Sequence, residues 1–117
     1  MPEDRPNAPE IRRQNDAFRR ADLVYSDDVG RKFQTAGIGG LPSDVVADIW
    51  RQVVTFDVFT SDNDPHGEHD FGAFDYPGVG KIFWKIDYYD EGYEFAAENP
   101  ASSSARRVLT VMLAEEY

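Results

Sequence analysis

Three rhythms of hydrophobic and polar residues run along the chain, and each predicts an element. From residue 10 to about 23, Ile11, Phe18 and the small Ala17 and Ala21 fall toward one side at helical spacing. Arg12, Arg13, Arg19 and Arg20 fall on the other, so the spacing predicts an amphipathic helix with a thin apolar stripe and an arginine face. Asn7, Pro9 and Glu10 supply a capping-box and first-turn signature at its start. Asn15 lies among the apolar positions, the place of a satisfied buried amide. A second helix follows Pro42 and Ser43, where Val45, Ile49, Val53 and Phe56, reinforced by Val46 and Trp50, recur at spacings of three and four.

The period then changes to two. Residues 71–76 and 81–89 read as strands joined by Pro77, Gly78, Val79 and Gly80, which predicts a hairpin. Ile82, Trp84, Ile86 and Tyr88 share the face that belongs to the core, while Phe83, Lys85, Asp87 and Tyr89 share a mixed one. Between these segments Ser26, Asp27, Asp28 and Gly30 form a turn, residues 31–35 are short and extended, and Gly37, Gly39 and Gly40 break the chain again. Residues 60–68 are turn formers or charged, and residues 90–100 are acidic and irregular. Ser102 to Ser104 can cap a last segment, residues 105–117, in which Val108, Leu109, Met112 and Leu113 suit a helix, although VLTVML fits a buried strand equally. Helix is the expectation. The predicted fold is α+β, with residues 1–8 a flexible tail and residues 9–117 one domain. In that domain two or three helices cover one face of a small antiparallel sheet centred on the β-hairpin.

Composition narrows the chemistry. The 117 residues include no cysteine, which excludes a disulfide scaffold, thiolate metal centres and thiol nucleophiles. No apolar run is long enough to span a bilayer, and the first ten residues lack a basic n-region and an apolar h-region. A soluble cytosolic protein without membrane partners is therefore expected. The formal charge is -10, from 22 acidic and 12 basic side chains, which argues against direct binding of nucleic acid through phosphate neutralisation. The acidity is local, because residues 61–100 carry ten of the acids and only Lys81 and Lys85. Displayed on one surface, such a block steers cationic partners toward itself.

At IRRQNDAFRR, TSDNDPHGEHDFGAF, FWKIDYYD and RRVLTVMLAEEY the chain resembles the bacterial domain-of-unknown-function 3768 family. DNDPHGEHDFG and FWKIDYYD are the unusual strings, and they come in the family's order and spacing. The resemblance implies that the whole chain is one such domain of a small proteobacterial protein. It assigns no activity, cofactor or site residue.

Two constellations carry candidate chemistry. His66, Glu68, His69 and Asp70 put two imidazoles and two carboxylates within five residues, a sufficient set of ligands for zinc, iron or manganese. The H-x-E-H pattern matches neither H-E-x-x-H nor H-x-x-E-H, and a polar loop shaped by side-chain turns at Asp62, Asn63 and Asp64 is the favoured reading. As an EF-hand the loop fails, because Ala73 stands where the bidentate glutamate belongs. The Gly37, Gly39, Gly40 cluster lacks the rest of a nucleotide motif and reads as a flexible turn. No serine lies in a nucleophile elbow. The second constellation is Asp87, Tyr89, Asp90, Glu91, Tyr93 and Glu94, where tyrosine anchors and directed negative charge suit a binding face.

Two functions follow. The preferred one is a non-catalytic binding protein that docks this acidic aromatic surface on a basic protein partner, as an inhibitor or nucleic-acid mimic, with no cofactor. The alternative is a small hydrolase-like enzyme, with a divalent metal held by the histidine loop and the remaining carboxylate serving as general base. The residues do not decide whether the protein is an enzyme.

Overall fold

A computed structural model describes residues 7–21 and 27–117. The order is α1 (Ala8–Arg20), β1 (Gly30–Gln34), α2 (Ala36–Gly39), α3 (Ser43–Thr55), β2 (Phe71–Tyr76), β3 (Gly80–Tyr89) and β4 (Arg106–Leu113), closed by a 3₁₀ turn at Ala114–Glu116. The predicted tail, apart from Asn7 and Ala8, lies outside the described residues, as do Ser26 of the first turn and the predicted end of the first helix at Leu23.

The fold is α+β. The four strands run in the order β1-β4-β3-β2. The hairpin β2–β3 is antiparallel with Gly72 opposite Trp84, and β3 pairs antiparallel with β4, Ile86 opposite Leu109. Two expectations are corrected. Residues 106–113 form a strand instead of a helix, because a lone two-stranded hairpin is marginal and the free edge of β3 takes a partner strand. The buried positions of β4 alternate as Arg107, Leu109 and Val111, and beyond Leu113 only one 3₁₀ turn remains. The sheet is also mixed instead of antiparallel, since β1 lies parallel to β4 with Gly30 opposite Arg107. The close approach at that pair requires glycine, for a Cβ on Gly30 would stand 2.2 Å from the Arg107 carbonyl and 2.8 Å from the Phe18 ring.

The core lies between the helices and one face of the sheet. Ile49, Val53 and Phe56 from the α3 stripe meet Phe18, Ile38 and the inward row Ile82, Trp84, Ile86, Leu109 and Val111. Trp84 fits a slot opened by Gly72, whose hypothetical Cβ would lie 2.3 Å from the indole nitrogen. On the opposite face Phe71, Phe83 and Tyr117 meet edge to face.

α1 departs from its predicted wheel. Its buried residues are Ala8, Ile11, Asn15, Phe18 and Arg19, while Ala17 and Ala21 are exposed. Arg19 leaves the arginine face because the end of α3 needs donors: its Nη1 reaches the Val53 and Val54 carbonyls at 2.8 and 3.1 Å. The capping box does not form either. Asn7 instead donates to Asn99, and Glu10 takes hydrogen bonds from Arg13 and Gln14 that hold its carboxyl down at about 2.

The C-terminal turn is tied to α2 by Glu116. Its carboxylate accepts from the Thr35 hydroxyl at 2.5 Å and from the Leu113 and Gly37 backbone N–H groups at 2.9 and 3.0 Å. These donors, Thr35 foremost, hold the Glu116 carboxyl below the usual range. A depressed folded-state pKa stabilises above the unfolded value, near 4.3 for glutamate, and that contribution is lost as pH falls through the folded value. Glu116→Gln should therefore flatten the fall of melting temperature below about pH 4, with faster amide exchange at Gly37. Superimposable melting profiles for the two proteins across that range would show that the clip contributes nothing.

Candidate functional site

The loop between α3 and β2 is organised by side-chain turns. The Thr60 N–H donates to Asn63 Oδ1, and buried Asp64 accepts the N–H groups of Glu68 and His69 on Oδ1, both at 3.1 Å. Asp62 is exposed. The Asp64 clamp holds His69 at φ 55°, in the left-handed region, and this turns neighbouring side chains in different directions. His69 faces α1, where Nδ1 lies 3.0 Å from Asp16 Oδ1, and its ring stacks on Phe59 at 3.7 Å with 4° between planes. Its Nε2 lies 3.6 Å from Asp64. Glu68 is fully buried and accepts the Tyr88 hydroxyl on Oε1 at 3.0 Å. His66 is exposed, and Asp70 precedes β2 half-buried, its carbonyl accepting the Ile86 N–H. The two imidazoles and two carboxylates thus enter four different surroundings, and the structure does not bring them to one point.

Glu68 belongs instead to a buried polar network. Asn15 donates from Nδ2 to the Glu68 carbonyl at 2.9 Å and to the Tyr88 hydroxyl at 2.8 Å, and its Oδ1 accepts Arg107 Nε at 2.6 Å. Arg107 Nη2 reaches the Pro100 carbonyl at 2.9 Å. Burial pushes the Tyr88 phenol far up, so it stays protonated and donates to Glu68, and burial lowers the Arg107 and Arg19 guanidinium values. Asn15 is the satisfied buried amide that its place on the wheel predicts. Arg107 was hidden by the helical reading, because only the two-residue alternation of a strand puts it on the face of Leu109 and Val111.

Apart from exposed Asp62 and half-buried Asp70, the acidic block divides into three groups. Asp64 and Glu68 are buried in the network and its loop. Asp75 and Asp87 lie beside Lys81 and Lys85, at 3.7 and 2.9 Å. The third group occupies residues 90–98. Here Asp90 is a structural cap, accepting the Glu94 and Phe95 N–H groups on Oδ1, with its own N–H donating to the Phe95 carbonyl at 2.7 Å. Tyr89 bridges to Ala96. Tyr93, at φ 59°, donates its hydroxyl to the Asp27 carbonyl at 2.6 Å, and the Arg31 guanidinium covers its ring at 3.8 Å. Glu91, Glu94 and Glu98 are exposed, and so is Phe95, at 69%. Asp90, Phe95, Ala96, Ala97 and Glu98 border a groove of about 390 Å³. Of the six residues expected to bind a partner, Glu91 and Glu94 are exposed carboxylates, whereas Asp87, Tyr89, Asp90 and Tyr93 are engaged within the chain. Phe95 and Glu98 complete the surface, and a large ring in an otherwise acidic run was the available signal.

Gly37 and Gly39 lie in the one-turn helix α2, which Gly40 follows, and the Gly37 N–H is taken by Glu116. Among the described residues no helix is long and apolar enough to cross a membrane.

No curated protein and no solved structure matches the chain. A family model described as "Protein of unknown function (DUF3768)" matches residues 34–116, from the last residue of β1 to the 3₁₀ turn. The match holds the loop, the hairpin, β4 and the 90–98 segment, while α1 supplies Asn15, Asp16 and Arg19 from outside it. With most of its length inside that match, the chain belongs to the DUF3768 family.

Proposed function

We propose that this protein is a non-catalytic binding module that docks on a basic protein partner through residues 90–98. The observation that carries the reading is Phe95, exposed beside a groove bordered by Glu98 on a loop that Asp90 holds in shape. A lysine or arginine side chain suits such a groove: its apolar stem lies against Phe95, Ala96 and Ala97, and its charged head meets Glu98. Glu91 and Glu94 add field without needing contact, which raises the rate of encounter more than the affinity. Three of the four guanidinium groups of α1 have other work, with Arg13 on Glu10, Arg19 on α3 and Arg12 donating to the Gly67 carbonyl, while Arg20 is exposed.

The test uses a decalysine peptide as probe, because any protein of this charge attracts polycations and the control must remove that effect. Glu91→Lys/Glu94→Lys/Glu98→Lys should weaken binding at least about tenfold at low salt, and the wild-type affinity should fall as ionic strength rises. Asp44→Lys/Asp57→Lys/Asp62→Lys changes the net charge equally at exposed positions elsewhere and should cost distinctly less. Phe95→Ala should weaken binding without altering the salt slope. Equal losses in the two triple variants would leave only non-specific attraction and sink the docking site.

A further inference from the structure

Arg107 is a buried cation with no carboxylate in direct contact, its guanidinium 5.4 Å from the Tyr88 ring. Its side chain leaves the residue 4% exposed, and its nitrogens are held by neutral oxygens only, Asn15 Oδ1 on Nε and the Pro100 carbonyl on Nη2. Among the described residues no carboxylate stands within ion-pair distance, and Nη1 makes no hydrogen bond. A guanidinium out of water is costly unless a negative charge meets it. Glu10, which is paired with Arg13, and buried Glu68 act on it at longer range.

The same residue borders a groove of about 520 Å³ between α1, the start of β1 and the segment leading into β4. That volume falls in the range of small-molecule sites, roughly 300–1,000 Å³. Its walls are mostly apolar, from Ala17, Phe18, Val29 and Ala105, and Ser102, Ser103 and Arg13 also border it. A mostly apolar groove bordered by a buried arginine with no carboxylate in contact selects one chemistry.

We infer that this groove is a binding site for a small organic monocarboxylate, whose carboxylate pairs with Arg107 and whose hydrocarbon body lies against Ala17, Phe18 and Val29. A single carboxylate fits better than a phosphate or nucleotide, because the remainder of the chain is strongly acidic and Asp28 sits on the same rim. The site shares Ser102 and Ala105 with the groove of the proposed docking surface, but the residues that carry each reading, Arg107 here and Phe95 and Glu98 there, border only their own groove.

Hexanoate is the probe, with hexan-1-ol as its uncharged counterpart, followed through amide shifts of Ala17, Val29 and Ala105 in ¹⁵N-labelled protein. Hexanoate should saturate with a dissociation constant at or below about 1 mM, and hexan-1-ol should bind at least about tenfold more weakly. Arg107→Met should abolish that preference. Because removing a buried cation can disturb folding, Ala17→Trp provides the second arm: it fills the groove from an exposed helix position without touching the Arg107 bonds, and should weaken hexanoate at least about tenfold. No saturable shift up to about 10 mM, equal binding of the alcohol, or undiminished affinity in a folded Ala17→Trp protein would each overturn the inference.

Discussion

Replacing Trp84 by alanine should remove about 3–5 kcal/mol of stability, toward the upper end of what loss of a buried aromatic ring costs. The indole is fully buried at the centre of the sheet and meets Phe56 at 5.5 Å and Phe59 at 6.1 Å, both edge to face. It also carries Arg19, whose guanidinium sits 5.0 Å from its ring, so deletion leaves that buried cation over a void while it still holds the end of α3. Small residues cannot collapse into the space, because Gly72 opposite it has no side chain to offer. A domain of this size has a total of roughly 5–15 kcal/mol, so the variant should be marginal at 37 °C. Urea denaturation followed by far-ultraviolet circular dichroism should show a much lower midpoint with an unchanged slope. A loss under about 1.5 kcal/mol would mean that the ring is not the keystone its surroundings imply.

How far the sequence foretold this arrangement differs element by element. α3 and the β2–β3 hairpin are legible because their periods are local: a stripe at spacings of three and four, and an alternation broken by Pro77 and Gly78. β4 is not, because VLTVML satisfies both periods, and only the demand of the hairpin for a central partner decides between them. The parallel pairing of β1 depends on a partner more than seventy positions away, which no window of sequence contains. Arg19 misleads for a related reason. A helical wheel places it with the other arginines, while its burial follows from where the carbonyls of another helix come to an end.

The candidate sites were legible in their residue types and not in their division of labour. Asn15 could be placed inside because an amide among apolar positions has few other roles. The acidic run could not be divided in advance into buried acceptors, lysine partners, a cap and free carboxylates, since each assignment depends on which strand face or turn the residue joins. The consequence is that net charge overstates the proposed docking surface. Reversing Asp90 would unmake the loop before it tested any partner, and Asp87 already lies beside Lys85.

Asn15 is the position where stability and the inferred ligand site meet, and Asn15→Ala should cost about 1.5–3 kcal/mol, the range for a hydrogen bond to a charged group. One amide satisfies three groups from three elements: the Glu68 carbonyl of the loop, the Tyr88 hydroxyl of β3 and the Arg107 guanidinium of β4. Truncation takes one partner from each, and although Tyr88 keeps Glu68 and Arg107 keeps the Pro100 carbonyl, the lost hold on the Arg107 charge is the largest part of the cost. That attribution makes a sharper forecast than the single variant. If Asn15 acts mainly by holding Arg107, then Arg107→Met should recover part of the loss, because a thioether at that position needs no acceptor. The double variant should be less destabilised than the sum of the singles by about 0.5–3 kcal/mol, the coupling found for residues in one network. Additive losses in a thermodynamic cycle by chemical denaturation would mean that Asn15 serves Tyr88 and the loop while Arg107 is held by Pro100 alone. In the coupled case, Asn15→Ala should also weaken hexanoate even where the protein remains folded, because the guanidinium bordering the groove would be held in place less firmly.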